Sequence, residues 1–65
     1  MKLHIRGMSC QHCVRAVTQA LEGVAGVDRV VEVSLDRGEA ILEGTPDPSA
    51  VIAAVTEEGY EASVG

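Results

Sequence analysis

Cys10 and Cys13 are the only cysteines of the chain, and they stand three positions apart in the run Gly7-Met8-Ser9-Cys10-Gln11-His12-Cys13. A thiolate is both a strong nucleophile and a favoured ligand of soft metal ions, so a lone Cys-x-x-Cys points to disulfide exchange or to metal capture. His12 lies between the thiols and could be a third ligand or a hydrogen-bond partner that tunes them, set against the plain reading of a solvent-facing residue. Met8 suits filling a gap under a turn better than ligation, because its thioether arm is flexible.

The elements around the pair follow from periodicity. Leu3 and Ile5 alternate with Lys2, His4 and Arg6, which predicts a strand with one buried face and His4 on the other. From about Cys13 the residues Val14, Val17, Leu21 and Val24 recur at offsets of three and four, one face of an amphipathic helix that Gly23 can stop. A second strand is expected to bury Val31, Val33 and Leu35 against exposed Glu32 and Ser34. Asp36-Arg37-Gly38 then turns the chain into a third strand that buries Ala40 and Leu42. Asp47 is a good helix cap and Pro48 fits the first helical position, so a second helix carries Val51, Ile52 and Val55 inward until Gly59. Tyr60 to Val64 reads as a last short strand. The order strand, helix, strand, strand, helix, strand is that of the α+β ferredoxin-like split βαβ fold, with two helices on one face of a four-stranded antiparallel sheet, and one domain over residues 1–65.

This placement sets both thiols at the start of the first helix, at positions i and i+3. The positive end of the helix and its unpaired N–H groups favour thiolates there, which serves metal binding and disulfide exchange alike. Ligand count separates the readings further. A structural zinc site needs four ligands, and the chain offers two cysteines plus His4 and His12, of which His4 is expected to face away. Cu(I) is soft and can be held by two sulfurs with one side open. A thioredoxin-like oxidoreductase would call for a parallel βαβ setting and usually an aromatic or proline flank, whereas Met8-Ser9 and Val14 flank the pair here.

Composition narrows the partners. The net charge of −5 and the single aromatic residue, Tyr60, argue against nucleic acid, which calls for surplus cations and stacking platforms. All ten acids fall from Glu22 onward, whereas Lys2, Arg6 and Arg15 precede it. The cysteine end of the sequence is therefore locally basic and could steer docking onto an acidic partner. No stretch approaches the roughly 20 apolar residues that cross a bilayer, and a cytoplasmic location without membrane insertion is expected.

Gly7-Met8-Ser9-Cys10-Gln11-His12-Cys13-Val14 resembles the metal loop of the heavy-metal-associated domain family, in its small bacterial copper-chaperone branch. Gly26-Val27, Asp36-Arg37-Gly38 and Glu58-Gly59-Tyr60 fall at matching places, so the resemblance covers essentially the whole chain. It implies a metal carrier and not an enzyme: Cys10 and Cys13 as the ligands of Cu(I), and Met8 as a support beneath the loop. It also implies that the ring of Tyr60 approaches the metal. An acidic residue before the first cysteine often marks relatives that take harder divalent ions, and Ser9 stands there. The implied partner is the metal-binding domain of a copper-transporting P-type ATPase, sometimes a copper-responsive regulator. The expected state is a monomer, with a copper-bridged dimer as an open variant. An excised domain of such an ATPase or, further off, a small thiol oxidoreductase are the competing readings.

Overall fold

The computed structural model describes residues 1–65. Its elements are β1 (Lys2–Arg6), α1 (Gln11–Glu22), β2 (Val27–Ser34), β3 (Glu39–Gly44), α2 (Pro48–Glu57) and β4 (Glu61–Val64). The four strands form one antiparallel sheet in the order β2-β3-β1-β4, with Leu3 opposite Ala40 on one side and opposite Val64 on the other. The helices pack on one face, α1 over β2 and α2 beside β4, which is the ferredoxin-like arrangement expected from the pattern.

Burial follows the predicted alternation in β1 and β3. Leu3, Ile5, Ala40 and Leu42 turn inward and meet Val17 and Leu21 of α1 and Val51 and Val55 of α2; these eight are the apolar core. Ile52 is half-buried at its rim and not inside it. The second helix starts as its sequence dictates, with Asp47 accepting from the Ser49 amide at 3.0 Å and Pro48 in the first helical position.

β2 departs from the expectation. Val30 and Val33 pack on the core, whereas Val31 is 44% exposed. Register shifts between Val27 and Arg29 and between Val30 and Glu32 explain this, because each extra residue in a bulge turns the following side chains to the opposite face. Gly44 is required where β3 leaves the sheet: its φ is +119°, and a Cβ there would collide with the Gly26 carbonyl and lie 2.7 Å from the Asp28 nitrogen.

The outer sheet face is tiled by ion pairs. Lys2 and Arg37 both reach Glu39, at 3.2 and 3.4 Å, Arg37 also holds Glu32 at 3.1 Å, and Arg29 pairs with Glu43. Lys2 is thus engaged on that face and does not belong to a basic surface at the cysteine end.

Candidate metal centre

β1 delivers the chain to the end of the sheet, where the segment from Gly7 to Ser9 bends it into α1. Cys10 is the N-cap, with extended backbone (φ −161°, ψ 172°), and its carbonyl accepts from the amides of Cys13 at 3.0 Å and Val14 at 3.3 Å. The helix therefore begins at Gln11, two residues before the periodic apolar pattern does, and Cys13 sits within its first turn. Cys10 makes no side-chain capping bond and the first turn carries no acid, so the positive end of α1 faces two sulfurs and nothing else negative on that turn.

The Cys10 and Cys13 sulfurs are 3.7 Å apart, Cys10 exposed and Cys13 half-buried, both as free thiols. The Cys13 thiol is lowered from 9.0 to about 6, first by hydrogen bonding from the Ser9 backbone, then by the Tyr60 hydroxyl, with smaller help from the Cys10 and Ser9 side chains against some desolvation. The Ser9 hydroxyl lies 3.9 Å from the Cys13 sulfur. The same bond seen from the other side raises Tyr60, because a phenol that donates to a thiolate resists losing its proton.

Tyr60 enters from the opposite end of the chain. It follows the end of α2, is half-buried against the core, and packs its ring over Gly7, where a Cβ would sit 3.3 Å from ring carbon Cδ1. Gly7 adopts φ +101°, so the loop needs glycine for its bend as well as for the ring. Met8 is half-buried and packs on the core beneath the loop. His12 is exposed, and neither it nor any Asp or Glu joins the thiols in a group of three ligating side chains. His4 is exposed on the outer sheet face, 3.9 Å from Glu39. Ser9 was legible only as the residue before the first cysteine; its backbone contact to Cys13 depends on how the loop folds.

The donor set suits a soft ion. The two sulfurs, 3.7 Å apart, could grip one ion between them and leave its outer side free. Zinc held there would still lack two ligands, whereas a thiophilic ion of low coordination number would not.

The profile of the heavy-metal-associated domain matches residues 2–61. Copper-transporting ATPase 1 of Rhizobium meliloti is 38% identical over 61 residues, which are 92% of this chain and 7% of that protein. The chain likewise spans about 7% of the length of copper-transporting ATPase 2 of the same organism. The copper chaperone CopZ of Bacillus subtilis is 39% identical over 62 residues, 91% of this chain and 88% of that protein. The solved apo form of the copper chaperone of Enterococcus hirae superposes with a TM-score of 0.87 at 30% identity, covering 98% of this chain and 97% of that one. No helix is long and apolar enough to cross a membrane.

Proposed function

The chain belongs to the heavy-metal-associated domain family, and on that premise we propose that it carries Cu(I) on Cys10 and Cys13 and hands it to another thiol-bearing protein. The observation that supports this most is the pair of sulfurs 3.7 Å apart at a helix N-terminus, with no third ligating side chain to close the site. A closed site would store its ion, and an open one can exchange it.

The proposed transfer is ligand exchange and not catalysis. A partner thiolate enters the free side and bonds to copper, giving a three-sulfur intermediate. The Cys10–copper bond breaks first, because Cys10 is the exposed sulfur, and that thiolate takes up a proton from water. A second thiolate of the partner then bonds to copper as the Cys13–copper bond breaks, and the Cys13 thiolate is freed last. Met8 and Tyr60 support the loop without ligating. The proposed recipient is the metal-binding domain of a copper-transporting P-type ATPase, with cytoplasmic exchange.

Because the Rhizobium relatives are far longer than this chain, a second reading is that the same unit works as one module inside such an ATPase. A full-length gene product with membrane-spanning segments would establish it.

The deciding experiment is anaerobic titration with Cu(I), Zn(II) and Hg(II) against a competing chelator, followed by X-ray absorption on the bound ion. The expected result is one tightly held Cu(I) with sulfur-only coordination, abolished by Cys10→Ser or Cys13→Ser and unchanged by His12→Ala. Tight zinc or mercury with no tight copper would overturn the metal assignment. A His12 nitrogen in the coordination shell would overturn the two-ligand site.

A further inference from the structure

β1 is held unequally on its two sides where it runs out toward the thiols. On the β4 side the pairing continues to its last residue, with Arg6 opposite Glu61, whereas on the β3 side it stops at His4 opposite Glu39. A single bond extends it there. The Ile5 amide donates to the Gly38 carbonyl at 2.7 Å, and Gly38 belongs to the turn between β2 and β3 and not to either strand. Gly7, two residues beyond Ile5, begins the metal loop and meets the Tyr60 ring.

Backbone and space both call for glycine at position 38. Its φ is +63°, and a Cβ on it would lie 2.8 Å from the Ile5 carbonyl oxygen, a backbone atom that cannot swing aside. The turn is also braced from outside. The Arg37 amide donates to the Ser34 hydroxyl at 3.3 Å, and the Arg37 guanidinium bridges the two strands, with Glu32 of β2 at 3.1 Å and Glu39 of β3 at 3.4 Å. Exposed ion pairs of this kind add little to global stability, so their effect is local: they hold the turn against the end of β1. The chain entering the loop is thus gripped at Ile5 by the β2–β3 turn and at Gly7 by Tyr60.

We propose that Gly38 is a positioning residue for the thiol pair: by pinning Ile5 it fixes the point at which the metal loop leaves the sheet, and so keeps Gly7 under the Tyr60 ring and the two sulfurs at the spacing that grips an ion. Arg37 serves the same end by bracing the turn. Ligands hold a metal well only when the residues behind them fix their placement, and loss of such support commonly weakens binding by about tenfold or more. The effect on copper rests on the carrier reading above, whereas the effect on loop geometry does not.

The test compares Gly38→Ala, Gly38→Asn and Gly44→Ala. Asn accepts a positive φ more readily than Ala, yet its Cβ meets the Ile5 carbonyl as that of Ala does, so the pair separates backbone strain from the lost contact. NMR of the metal-free protein follows the Gly7 α-protons, which the ring current of Tyr60 displaces; no Phe or Trp is present to confuse the signal. Stopped-flow removal of Cu(I) by a chelator measures the grip. Both Gly38 variants should move the Gly7 signals toward random-coil positions and release copper about tenfold faster, Asn as much as Ala. Gly44→Ala, strained at the other end of β3, should leave both readouts at their wild-type values. Wild-type behaviour of Gly38→Asn would overturn the proposal, and so would equal changes in Gly44→Ala, which would reduce the effect to general destabilisation. Arg37→Ala removes only exposed contacts and keeps the fold, so it decides the matter if the Gly38 variants do not fold: both readouts should move in the same direction by less, and no movement would overturn the proposal. Failure of the wild-type protein to retain Cu(I) would overturn the carrier reading, while the Gly7 signals would still decide the role of the turn.

Discussion

Tyr60 is the one aromatic side chain, and it is placed on the one turn where chemistry is concentrated. Hydrogen bonding by the Ser9 backbone, and then by Tyr60, lowers the Cys13 thiol from 9.0 to about 6. Alkylation of Cys13 by iodoacetamide, measured in Cys10→Ser, should therefore stay fast at neutral pH and fall as pH drops through about 6. Tyr60→Phe keeps the ring over Gly7 but removes the donor, so the midpoint should move upward toward the ordinary thiol range. An unmoved midpoint would mean that the hydroxyl does not reach the sulfur in solution. The sequence disclosed both thiols through their spacing. Tyr60 was reached only through the family resemblance and not from spacing, because its approach to the loop depends on β4 pairing with β1.

At the scale of elements, legibility tracked how local each signal was. The start of α2 was readable to the residue because its cap and its first-position proline act within four positions, and the observed Asp47 bond confirms the cap. Asp47→Ala should lower stability by about 1 kcal/mol in a urea titration, with the slope unchanged. β2 was misread because its two bulges answer to the partner strand and not to its own alternation, so Val30 faces the core where Val31 was expected. Gly44→Ala tests the crossing of the β2–β3 edge with the Gly26 segment. Its Cβ has nowhere to go between the Gly26 carbonyl and the Asp28 nitrogen, and a loss of roughly 2 kcal/mol or more is expected, read as a lower urea midpoint.

For the molecule as a whole, eight apolar side chains carry the core of a 65-residue chain, and no polar side chain is buried among them. A chain of this length has a total stability of about 3–10 kcal/mol, whereas truncating a fully buried leucine costs about 2–5 kcal/mol. Leu21→Ala should therefore leave a large unfolded fraction, visible by circular dichroism. Cu(I) in thousandfold excess over its dissociation constant should restore about 4 kcal/mol by mass action, and failure of copper to raise the melting temperature would contradict native-state binding. One last consequence comes from Cys10, whose carbonyl starts α1 while its sulfur stands clear of the helix. Rotation about its side-chain bonds can release the sulfur without disturbing a single helical hydrogen bond. On the carrier reading, loading can thus leave the backbone as it is, and amide chemical shifts far from the loop should be the same with and without Cu(I).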